Sequence, residues 1–180
     1  MSRRRKMTSG AWAPAWAALG VLILLSGCAG YRVGSIGGQE VQGLNAVYIP
    51  MAKNETYTPD VITYVTNETI RAFNNDGTLK TAQSSKADCE LLITVTDIQR
   101  SQARTTREDV LTTAEYRLNI TAEVTFINRV VGRRVIDNER ITGTTTYFVQ
   151  NDLNEAQRQA LPLAAEDLSR NICLRVVEGW

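Results

Sequence analysis

The chain has 180 residues, 20 Lys and Arg against 19 Asp and Glu, and no histidine, for a formal net charge of +1. Without imidazole it lacks the usual general base near neutral pH, the Ser-His and Cys-His nucleophile pairs and the commonest metal ligand. No carboxylate pair stands out from ordinary surface charge, so an enzyme, a cofactor and a metal site are not expected, and the near-neutral balance argues against nucleic acid as a partner.

The N-terminus reads as a bacterial lipoprotein signal over residues 1–27. Arg3, Arg4, Arg5 and Lys6 form a basic segment, and Ala11 to Leu25 form an apolar one broken only by Pro14 and Gly20. Fifteen residues fall short of the roughly 20 that a membrane-spanning helix needs. Leu25-Ser26-Gly27-Cys28 then resembles a lipobox, in which the thiol is acylated and the chain is cut before it. Apolar residues do not follow the arginines directly, which argues against a twin-arginine signal. Cys28 is therefore the expected lipid attachment site and the first residue of a 153-residue mature chain with a net charge of −3. That length suits one domain with one core. Any phosphorylated ligand must then be met by a local basic cluster.

Residues 28–43, with Gly30, Gly34, Gly37, Gly38 and Gly43, read as a flexible tether, and residues 44–180 as the domain. Leu44 to Pro50 is a short apolar strand ended by proline. Thr58-Pro59-Asp60 offers a cap, a proline for the first helical position and an acid for the first turn. Val61, Ile62, Val65, Thr69, Ala72 and Phe73 then share one helical face, and Asn74 to Gly77 stops the helix.

Asp88 to Arg100 alternates through Cys89, Leu91, Ile93 and Val95, and predicts the second strand. From Thr113 to Phe126, seven apolar positions alternate with polar ones, predicting a long strand buried on one face only. Asn128 to Arg133 turns the chain back into Arg134 to Val149. There Asp137, Glu139 and Ile141 share a parity, which calls for a bulge or an unpaired half. The last helix, capped by Asn151 or Asp152, runs its apolar face from Leu153 to Val176, and Pro162 inside it should kink or divide it. The order β-α-β-β-β-α gives an α+β two-layer sandwich: a four-stranded, mostly antiparallel sheet with two helices on one face.

Three features bear on function. The uncovered sheet face carries Glu115, Arg117, Asn119, Thr121, Glu123 and Thr125, with Thr144 and Thr146 as its continuation. Such a face is either simply solvated or covered by a larger partner. Arginines gather in two loops, Arg100, Arg104 and Arg107 in one and Arg129, Arg133 and Arg134 in the other, at opposite ends of a meander. The guanidinium fork suits phosphate, so Arg104, Arg107, Arg133 and Arg134 are candidates for a phosphorylated ligand, against the alternative of plain surface charge. Cys89 and Cys173 could form a disulfide, which in the chain-entropy model would add about 4–5 kcal/mol, or act as two separate buried thiols.

The lipobox followed by Gly30-Tyr31-Arg32-Val33-Gly34, the strand ending Tyr48-Ile49-Pro50 before Asn54-Glu55-Thr56, and Asn75-Asp76-Gly77 resemble the LptE family of lipopolysaccharide-assembly lipoproteins. So do Ala87-Asp88, the strand Tyr116 to Phe126, and Ala164-Ala165-Glu166-Asp167-Leu168. Met51 departs from the phenylalanine often found there. The resemblance implies a non-catalytic outer-membrane lipoprotein on the periplasmic side, held by acylated Cys28. It implies a plug within an LptD-like β-barrel that helps the barrel assemble, and binding of lipopolysaccharide. Ala29, not aspartate, follows the lipidated cysteine, so the enteric sorting rule implies no retention at the inner membrane. A second resemblance, through the strand-Pro-x-x-Asn-x-Thr stretch, is to lipoproteins that activate penicillin-binding proteins or form the curli-secretion pore.

Overall fold

The computed structural model describes residues 41–104, 114–149 and 152–179. The signal, Cys28, the tether up to residue 40, and Arg107 lie outside the described residues. The order is β1 (Ala46–Tyr48), β2 (Lys53–Asn54), α1 (Val61–Asp76), β3 (Lys80–Thr81), a 3-10 turn (Ser84–Lys86), β4 (Cys89–Arg104), β5 (Ala114–Asn128), β6 (Arg133–Val149) and α2 (Leu153–Glu178).

The sheet is mixed and six-stranded, in the order β3-β1-β4-β5-β6 with β2 beside β4, where four mostly antiparallel strands are expected from the sequence. The three long strands do form an antiparallel meander. β1 forms within the expected Leu44 to Pro50, and the difference lies in β2 and β3, two-residue strands too short to show a periodicity, and in the parallel pairing of β1, β2 and β3. Backbone bonds alone place the two-residue strands: Glu55 N donates to Val95 O at 2.9 Å, and Lys80 N and Ala82 N donate to Asn45 O and Val47 O at 2.9 Å each.

α1 starts at Val61, two residues later than its proline suggests. Thr58 is held in the preceding loop, where its carbonyl accepts from Asn54 Nδ2 at 3.0 Å and its N–H donates to Thr56 Oγ1 at 3.2 Å. The predicted stop holds: Gly77 has φ 79° and closes the helix onto Phe73 O. Asp152, one of the two predicted caps, accepts from Asn154 N at 2.8 Å and Glu155 N at 3.2 Å. α2 then runs unbroken through Pro162 to Glu178, so the expected division does not occur. Proline costs one backbone bond there. Burial of Leu161, Ala164, Ala165 and Leu168 around it offsets that loss.

One apolar core lies between the sheet and the helices, built on Phe73, Leu91, Leu118, Ile120, Phe126, Leu168 and Ile172. Thr69 and Ser169 tie α1 to α2 through a buried hydroxyl pair 3.1 Å apart. α2 sits directly on β6 at Gly143, where a Cβ would lie 2.3 Å from Leu168 N and 2.5 Å from Ala164 O. The irregularity expected in the last strand is a bulge, with Asn138 at φ 48° and register shifts opposite Val124 to Ile127. A second bulge, between Val95 and Asp97, was not legible in the alternation.

Candidate functional site

The face of the β4-β5-β6 sheet away from the helices is the candidate site. Its side chains fall into cross-strand ladders because the pairing register sets them opposite one another: Asn119 faces Thr144, Thr121 faces Thr142 and Glu123 faces Arg140. Thr144 Oγ1 donates to Asn119 Oδ1 at 2.9 Å, Thr121 and Thr142 hydroxyls lie 3.2 Å apart, and Arg140 pairs with Glu123 at 3.3 Å. Thr125, by contrast, is covered by the bulge, bonded to Asn138. Two clefts open on this face. One, of about 550 Å³, is lined by Thr96, Asp97, Gln99, Asn119, Thr121, Arg140 and Thr142. The other, of about 420 Å³, brings Tyr48, Met51 and Lys53 against Glu90, Leu92, Glu123, Thr125 and Arg134.

The predicted arginines divide. Arg104 ends β4 opposite Glu115, while Arg133 and Arg134 start β6 opposite Asn128 and Ile127, so the two clusters do occupy opposite ends of the meander. Arg134 lines the second cleft and pairs with Asp137 at 2.9 Å. Arg133 is exposed. Two other cluster members act structurally. The bulge at Val95/Asp97 switches the parity of β4, sets Arg100 opposite Leu118 on the helix side, and lets it donate to Gln157 Oε1 at 2.9 Å. Arg129 pairs with Glu90 at 3.0 Å, donates to Ser84 O at 2.7 Å and lies over the Tyr48 ring at 5.6 Å. Sequence reasoning missed Arg140 and Lys53 as cationic groups on this face.

The profile of the LptE family, described as lipopolysaccharide-assembly, matches residues 44–176, which is nearly the whole described domain. The chain belongs to the LptE family. It is thereby an envelope lipoprotein of lipopolysaccharide assembly. No curated protein matches the sequence. Among solved structures, it is similar to hypothetical protein CT253 from Chlamydia trachomatis, at 11% identity over 76% of this chain and 97% of that one, with a TM-score of 0.51. A protein from Caulobacter crescentus CB15 provisionally described as a lipoprotein is 19% identical over 72% of this chain and 86% of that one, with a TM-score of 0.49. The PelC dodecamer from Paraburkholderia phytofirmans gives 18% identity over 77% of this chain and 90% of that one, with a TM-score of 0.43. At these identities the first likeness speaks to fold alone.

In this LptE-family chain Cys89 and Cys173 are two free, buried thiols in the structure. Each sits in its own packing environment. Cys89 Sγ donates to Ala46 O at 3.2 Å beneath β1, and Cys173 floors a groove between α1 and α2 beside Arg71, Asp76 and Arg170. Burial pushes both thiols up to about 12, with Asp88 adding to the effect at Cys89, and Asp76 and Glu178 at Cys173. Among the described residues no helix is long and apolar enough to cross a membrane.

Proposed function

We propose that the chain is a non-catalytic outer-membrane lipoprotein, acylated at Cys28, that sits inside an LptD-like β-barrel, assists its assembly and binds lipopolysaccharide. The observation that supports this reading best is the uncovered polar face of the meander. β4, β5 and β6 have 16, 15 and 17 residues, where strands usually have about 5–6. At roughly 3.3 Å per residue they extend about 50 Å, more than the apolar band of an outer-membrane barrel, about 25 Å tall. A face of threonine, asparagine and mixed charge suits the polar interior of a barrel and is unsuited to its lipid-facing exterior.

On this reading the tether and acyl chains hold the domain at the inner leaflet, and the sheet face and loops fill the lumen. Of the ligand candidates Arg104, Arg107, Arg133 and Arg134, the reading favours Arg104 and its sequence neighbour Arg107, which lies outside the described residues, for lipid A or core phosphates, because Arg133 and Arg134 stand at the end where the chain enters the domain. Charge-assisted, bidentate contact is the chemistry that arginine supplies there.

The test is a mild-detergent pull-down of tagged, lipidated protein from its native envelope, followed by mass spectrometry. Recovery of a large outer-membrane barrel at one-to-one stoichiometry is expected. Recovery of a peptidoglycan synthase, or only of the chain itself in rings, overturns the reading.

A further inference from the structure

The β5-β6 turn presents two consecutive apolar side chains to solvent: Val130 is 70% exposed and Val131 66%. They are held outward by the turn's own chemistry. Asn128 Oδ1 accepts from Val130 N at 3.0 Å and from Val131 N at 3.2 Å, and Gly132 takes φ 66° to bring the chain back. An exposed pair of valines on a pre-formed tip has no use within this domain's core.

The charge around the tip is unbalanced in one direction. Lys86, Arg129, Arg133 and Arg134 stand against three acids: Glu90 pairs with Arg129, Asp137 pairs with Arg134, and Asp88 keeps its charge while accepting from Asn45 N and Ala46 N at 2.8 and 3.1 Å, so the excess is one positive charge. Lys86 and Arg133 are exposed, and no ion pair among the described residues engages them. Lys86 follows Ser84, whose carbonyl and hydroxyl hold Arg129.

The chain enters the domain at this same end. Asn45 and Ala46 bond to Asp88, and Arg129 N donates to Asp88 O at 2.9 Å, which puts the start of β1 beside the turn. Twelve residues, 29–40, lie between Cys28 and Val41, whose side chain is already buried in the core. A chain of that length spans at most about 45 Å even when fully extended.

From this we infer that the Val130-Val131 tip, with Lys86 and Arg133, docks on the anionic phospholipid surface that holds the lipid anchor. The inference rests on the reading of Cys28 as acylated. The tether supplies a high effective concentration, so a contact too weak to recruit the domain alone suffices to orient it. Valines enter the headgroup boundary and the cations meet lipid phosphates, each basic residue contributing about fivefold in partition.

The test places the mature, lipidated chain in vesicles of phosphatidylglycerol and phosphatidylethanolamine carrying brominated acyl chains. Two variants are compared, Val131→Trp at the tip and Leu163→Trp, a 53%-exposed position on α2, with Trp180 as a background common to both. Intact mass reports acylation separately. The expected result is strong quenching of the tip tryptophan and little at position 163. Quenching should fall in high salt, in vesicles without phosphatidylglycerol, and on adding Lys86→Ala and Arg133→Ala. Equal quenching at both positions in an acylated chain overturns the proposal while leaving the anchor intact. A mass without acyl chains sinks the reading of Cys28 and the proposal with it.

Discussion

Gly143 carries the sharpest constraint at the scale of a single residue. The atoms that a Cβ would strike belong to the backbone of α2, so no rotamer change relieves the contact. Gly143→Ala is expected to cost about 3 kcal/mol, at the upper end of ordinary overpacking, read as a lowered urea midpoint. The cysteines make a second prediction. A thiol held at about 12 in the folded state and 9.0 when exposed keeps its proton longer folded than unfolded. The stability linked to it is fully present below pH 9 and is lost as pH rises from there toward 12. The denaturant midpoint should therefore fall more steeply above pH 9 in the native sequence than in a variant carrying Cys89→Ala and Cys173→Ala. Both thiols should also resist labelling at pH 8 until the chain unfolds.

Among the elements, α2 does more than cover the core. β6 is the terminal strand of the sheet, and a free edge of 17 residues invites pairing with another chain. α2 closes the middle of that edge: Asp167 accepts from Thr144 N at 2.8 Å and Asn171 Nδ2 donates to Thr142 O at 2.9 Å. Substituting Asp167→Ala together with Asn171→Ala should give concentration-dependent self-association by light scattering, with far-ultraviolet circular dichroism little changed. Asp152→Ala, which removes the cap of the same helix, is expected to lower stability by about 1 kcal/mol without association.

How much was legible follows from the same elements. β5 announced itself because one face is buried along its whole length, so apolar residues recur every second position. β2 and β3 carry no such mark, since backbone bonds to neighbours remote in sequence define them. The site divides likewise. Its threonines and Arg117 could be read from the parity of β5. The approach of Met51 and Lys53 to Arg134 depends on parallel pairing that no local pattern encodes, and the role of Arg100 turns on a single bulged residue.

At the scale of the whole domain, stability and the proposed recognition fall on opposite sides of the sheet. The helix-facing side holds the core, whereas the other side holds exposed pairs such as Arg140 with Glu123, which contribute at most about 1 kcal/mol. On the proposed reading of that face, Arg140→Ala should leave the unfolding midpoint nearly unchanged and reduce the yield of co-purified barrel or lipopolysaccharide. An equal loss of fold would place that residue in the scaffold instead.

The way the chain enters the domain has a mechanical consequence. β1 lies between β3 and β4, parallel to both, and its first backbone N–H groups are gripped by Asp88. Ahead of the strand, Val41 and Leu44 are both buried in the core and Leu44 N donates to Val41 O at 3.1 Å, so a load arriving from the N-terminal side meets this packed turn before it reaches the hydrogen bonds of β1. Behind that turn the three-residue strand is held on both sides by parallel neighbours, so whatever load passes the turn spreads into the centre of the sheet.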